Sequence, residues 1–112
     1  MEKFKVYADG NKDFFVITDN YVFAEDMAKE HARGGHTVTI EHDGRITAYF
    51  SGVYEIFSCA NGWSIRKKGK YNRYEYLKSL YKGKAVFCSD FTHEKHYTTL
   101  KAAKQAIEKI NS

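Results

Sequence analysis

At 112 residues, 43% hydrophobic and 29% charged, the chain has the length and composition of one globular domain able to bury a core without metals or disulfides. That profile excludes an intrinsically disordered chain, and no run approaches the roughly 20 apolar residues of a membrane span. The net charge of +4 is divided unevenly: residues 1–56 carry six Lys and Arg against ten Asp and Glu, a net of −4, and residues 57–112 carry twelve against four, a net of +8. A division of this kind points to an anionic partner for the basic half.

The start, Met1 to Gly10, has no apolar signal core, and the two cysteines, Cys59 and Cys88, are too few for a secreted disulfide framework. The expectation is a cytoplasmic protein with reduced, structural thiols. Nine Tyr and eight Phe against a single Trp make the aromatic content unusual, and tyrosine combines an apolar face with a hydrogen-bonding tip suited to binding surfaces.

In chain order, Lys3 to Ala8 and Phe14 to Asp19 read as two strands joined through Asp9-Gly10-Asn11-Lys12, a first hairpin. Asp19 or Asn20 can cap a helix from about Val22 to Arg33, with Phe23 and Met27 four residues apart and Ala24, Ala28 and Ala32 beside them. Gly34 and Gly35 stop it. So narrow and alanine-lined a stripe predicts a helix lying close against a sheet.

His36 to Glu41 and Arg45 to Phe50 flank His42-Asp43-Gly44 as a second hairpin. Val53 to Cys59 and Trp63 to Lys68 flank Ala60-Asn61-Gly62 as a third, where Asn-Gly is the strongest short hairpin signal. Tyr71 to Tyr81 fits either period, with Tyr74, Leu77 and Tyr81 at helical spacing and Tyr74, Tyr76 and Leu80 on a strand; the strand reading is preferred. After Lys82-Gly83-Lys84, Ala85 to Phe91 reads as a buried strand. Thr98 or Thr99 then caps a last helix with Leu100, Ala103, Ile107 and Ile110 on one face.

The predicted fold is therefore a single α+β domain over residues 1–112. It is a mainly antiparallel sheet of six to eight strands built from successive hairpins, with two helices packed on one face, in the order ββα, strands, α.

The segment from Trp63 to Tyr76 holds five cations and four aromatics. Cations neutralise phosphates and aromatic faces stack on unpaired bases, so Trp63, Arg66, Lys67, Lys68, Lys70, Tyr71, Arg73 and Tyr74 form a candidate nucleic-acid-binding set. A two-stranded ribbon also fits the major groove of duplex DNA. The competing reading is an edge hairpin whose lysines discourage aggregation and whose aromatics are core. The order of strands followed by a helix, with Gly62 to Arg66 and Thr99 to Ala103, resembles the three-stranded DNA-binding modules of plant AP2 factors and phage integrase arms in topology. It lacks a matching Gly-Phe or Gly-Thr-Phe element before the helix, and the resemblance transfers no site.

His93 and His96 form an H-x-x-H near Cys88, with Cys59 a conceivable fourth ligand, but the spacing matches no zinc finger, and no metal or cofactor is expected. No nucleophile elbow, P-loop, zincin or dinucleotide motif occurs, His42-Asp43-Gly44 is explained as a turn, and a non-enzymatic protein is expected. The leading expectation is a small nucleic-acid-binding accessory or regulatory protein of bacterial or phage type, binding DNA or RNA. The alternative is a protein-binding inhibitor of the phage anti-defence type, in which Asp9, Asp13, Asp19, Glu25, Asp26 and Glu30 imitate phosphates on a basic partner. Opposite charges on two faces also allow copies to pair into a homo-oligomer.

Overall fold

The computed structural model describes residues 3–11, 16–60, 62–69, 71, 73–89 and 95–111. These form a small α+β fold of antiparallel strands and two helices, in two compact units, residues 1–53 and 54–112. Charge follows the division. The first unit holds six Lys and Arg against nine Asp and Glu, a net of −3; the second holds twelve against five, a net of +7.

The first unit comprises β1 (Phe4–Ala8), β2 (Val16–Thr18), α1 (Tyr21–Arg33), β3 (Thr37–His42) and β4 (Arg45–Ser51). Its strands run antiparallel in the order β2-β1-β3-β4. Asn20 caps α1 by accepting a hydrogen bond from the Phe23 N–H at 3.3 Å. Ala24, Ala28 and Ala32 are the buried stripe of the helix and pack with Val6, Val38, Ile40, Ala48 and Phe50. Three methyl groups let the helix backbone approach the sheet closely, which leaves no depth for Phe23, and that ring stays 48% exposed. The bulge between Ile40 and Glu41 leaves Thr47 as the extra residue, whose hydroxyl donates to the Ile40 carbonyl at 3.2 Å.

The second unit comprises β5 (Tyr54–Cys59), β6 (Gly62–Lys68), β7 (Tyr74–Tyr81), β8 (Lys84–Cys88) and α2 (Leu100–Asn111). Its strands form an antiparallel meander, β5-β6-β7-β8. The ambiguous stretch is thus a strand from Tyr74 onward, because β6 and β8 supply hydrogen-bonding ladders on both of its sides. Lys82 and Gly83 both take positive φ, 50° and 78°, the conformation of a tight hairpin turn between β7 and β8. Thr99 caps α2, its hydroxyl accepting from the Ala102 N–H at 3.1 Å. The helix packs on β5 and β6, burying Ala103, Ala106 and Ile107 together with Ile56, Ile65 and Leu77.

Past Arg66 and Tyr76 the β6–β7 pairing ends, and residues 95–97 take over the ladder. Lys95 N–H donates to the Leu77 carbonyl at 2.7 Å, while Trp63 and Tyr97 exchange two backbone hydrogen bonds of 2.8 and 2.7 Å. Gly62 has φ of 126°, and a Cβ there would collide with the Tyr97 carbonyl. The Asn-Gly signal therefore marks a close backbone approach as well as a turn. No described helix is long and apolar enough to cross a membrane.

Candidate nucleic-acid interface

Alternation along β6 divides the basic segment between two sheet faces. Directly paired residues across antiparallel strands share a face, so the row Glu55–Arg66–Tyr76–Cys88 crosses all four strands of the second unit. Phe57–Ser64 and Lys68–Tyr74 lie on the same face. The other face carries Ile56, Ile65 and Leu77 beneath α2, together with Trp63 and the row Tyr54–Lys67–Glu75.

On the face away from α2, Arg66 is the organising side chain. Its Nη2 donates to Glu55 Oε2 at 2.8 Å, and Glu55 is only 3% exposed. The guanidinium carbon lies 4.6 Å from the Phe57 ring centre and 3.9 Å from that of Tyr74. Burial opposes the charge on Arg66, but the hydrogen bond and charge of Glu55 outweigh it and hold the pKa above its usual value. Phe57 meets Tyr76 edge-on at 6.0 Å, and Lys68 Nζ stands 5.7 Å from the Tyr74 ring centre. The result is a cluster of half-buried aromatics, Phe57, Tyr74 and Tyr76, bordered by the exposed cation of Lys68.

The β6–β7 loop extends this cluster. Gly69 N–H donates to the Arg73 carbonyl at 2.7 Å, which closes the loop at its base. Arg73 is exposed, and Tyr71 is 91% exposed with φ of 61°, a left-handed conformation that bulky residues rarely take. A strained aromatic held out in solvent is a recurrent feature of binding sites.

The structure thus brings Arg66, Lys68 and Tyr74 to one face, with Tyr71 and Arg73 at the adjoining loop. Lys67 lies on the α2 side with its Nζ 4.5 Å from the Phe87 ring centre, and Trp63 is half-buried there beside Tyr97. Lys70 lies outside the described residues. Phe57 lies outside the basic segment, and Tyr76, one of that segment's four aromatics, is not in the candidate set; period-2 alternation from Arg66 through its strand partners identifies both once register is known.

Of the acidic set, Asp9 bonds His36 Nδ1 at 2.7 Å and accepts from the Thr37 N–H at 2.9 Å. Glu25 pairs with Lys29 at 3.0 Å. Asp19, Asp26 and Glu30 are exposed, and Asp13 lies outside the described residues. Cys59 and Cys88 are half-buried in β5 and β8, and the Cys59 thiol donates to the Gly62 carbonyl at 3.3 Å. His96 is exposed and His93 lies outside the described residues, among which no His, Cys, Asp and Glu group is arranged to hold a metal ion. No protein-family model, curated protein or solved structure matches the chain.

Proposed function

We propose that the second unit binds nucleic acid without catalysing a reaction, through the sheet face away from α2 and the adjoining β6–β7 loop. Lys68 and Arg73 contact phosphates, and Tyr71, Tyr74 and Tyr76 stack on bases. Arg66 is a positioning residue: its Nη2 is bonded to Glu55 and its guanidinium lies over the Phe57 and Tyr74 rings, and its role is to set the angle of those rings. The observation that carries this reading is the exposed Tyr71 and Arg73 beside the Lys68–Tyr74 pair, within a unit of net charge +7. A face built from rings favours unpaired RNA or DNA over duplex, because stacked bases in a duplex do not offer their faces.

Fluorescence anisotropy of labelled single-stranded RNA, single-stranded DNA and duplex DNA, titrated at two salt concentrations, tests the reading. Binding of a single strand that weakens steeply with salt is the expected result. Absence of binding to all three at low salt overturns it.

A further inference from the structure

A cavity of about 440 Å³ lies wholly within the second unit, between the β7–β8 turn, residues 95–97 and α2. Its wall is formed by Leu80, Ala102 and Ala106 on the apolar side and by Lys82, Lys95, Lys109, Gln105 and Tyr97 on the polar side. Among the described residues three cations and no carboxylate line it. Such a concave wall concentrates positive potential, and its volume is that of a small-molecule site.

Two of the ammonium groups lie near rings, Lys82 Nζ 5.4 Å from Tyr81 and Lys95 Nζ 5.6 Å from Tyr97. Among the described residues the Tyr97 hydroxyl is buried with no hydrogen-bond partner, and burial raises its pKa, so it keeps its proton and can donate. Each cation is placed by a different device: the left-handed Lys82-Gly83 turn, the backbone bond from Lys95 to Leu77, and the last turn of α2 for Lys109. None of the rings of the nucleic-acid face lines the cavity: Leu80 lies near the opposite end of β7 from Tyr74, and the other lining residues come from the β7–β8 turn, residues 95–97 and α2.

We infer that this cavity binds a small phosphorylated molecule of mononucleotide size, its phosphate held by Lys82, Lys95 and Lys109 and its body lying against Leu80, Ala102 and Ala106. Dianionic phosphate matches a wall of three ammonium donors better than a single carboxylate does. The apolar side gives a body larger than inorganic phosphate something to bury against.

Calorimetric titration of the full chain with AMP, adenosine and inorganic phosphate tests this. The expected result is saturable AMP binding, with adenosine weaker by at least about tenfold, the loss of one charge-assisted hydrogen bond. Lys82→Ala combined with Lys109→Ala should weaken AMP to a similar degree with an unchanged far-ultraviolet spectrum, while Lys78→Ala, exposed and outside the cavity, should leave it unaltered. AMP binding that the double variant leaves intact, AMP binding lost equally through Lys78→Ala, equal binding of AMP and adenosine, or no saturation by AMP overturns the inference. Binding of single strands at the Lys68 face is read separately by anisotropy.

Discussion

Arg66 and Glu55 face each other in direct register across β5 and β6, and the 2.8 Å bond between Nη2 and Oε2 ties the aromatic face of the second unit to a carboxylate that is almost wholly buried. A buried pair of this kind is costly to break from one side, because the remaining charge loses its compensation. Glu55→Gln should therefore destabilise the protein by about 3 kcal/mol, read as a lower urea midpoint at unchanged slope. Replacing both residues with Met should recover most of that loss, since an apolar pair of similar volume carries no desolvation penalty. A Glu55→Gln variant as stable as the parent would show that the pair holds nothing together.

Gly62→Ala tests the junction where residues 95–97 join β6. The substitution forces a Cβ into the Tyr97 carbonyl and an alanine into φ of 126°, so the Trp63–Tyr97 bonds must break or the hairpin must shift. A loss on the order of 3 kcal/mol is expected in chemical denaturation, in the range of strained backbone substitutions. Faster amide exchange at Trp63 and Tyr97 should accompany it.

These two sites show what local sequence rules reveal and what they cannot. The alanine stripe of α1, the Thr99 cap and the turn at Gly62 each declare themselves within a few residues, because helical spacing, capping and turn chemistry are short-range properties. Arg66 reads locally as one more cation in a basic run. Its partner sits eleven residues back on the neighbouring strand, and only the register of the hairpin makes them meet. The role of residues 95–97 was illegible for a related reason: a single bridge has no period, and the segment is strand-like only because β6 and β7 part there. Period-2 alternation was available for Trp63 to Lys68, yet grouping by charge placed Lys67 with Lys68 although their side chains leave opposite faces of the sheet.

Acid should weaken the first unit through Asp9. The hydrogen bond from His36, then that from the Thr37 N–H, holds the Asp9 carboxyl below its ordinary value of 3.8. A depressed carboxylate stabilises the fold fully above its unfolded value, and that contribution is lost as pH falls through the lower folded value. Asp9→Asn keeps a residue tolerant of the left-handed φ of 55° while removing the charge. Its melting temperature should fall below that of the parent at pH 6, and the gap should narrow as pH falls below the ordinary carboxyl value and Asp9 takes up its proton. A gap that persists in acid would assign the effect to something other than ionisation.

Tyr71 couples stability to binding in opposite directions. Tyr71→Asn places a residue suited to the left-handed region where a bulky ring now sits, so stability should rise by about 1 kcal/mol. The same change removes an exposed stacking surface, and single-strand affinity should drop about fivefold or more, the equivalent of one lost base–aromatic stack. Thermal melts and anisotropy on the one variant read both effects.

The most direct measurement of the central claim compares two double charge reversals by anisotropy on the same single strand at one salt concentration. Lys68→Glu with Arg73→Glu alters the proposed interface; Lys78→Glu with Lys101→Glu changes the net charge by the same amount at exposed positions elsewhere in the second unit. If phosphates are held at the β6–β7 face, the first pair should weaken binding at least about tenfold more than the second, because only local contacts release counterions on binding. Equal losses from both pairs would contradict the claim and reduce the interaction to overall charge.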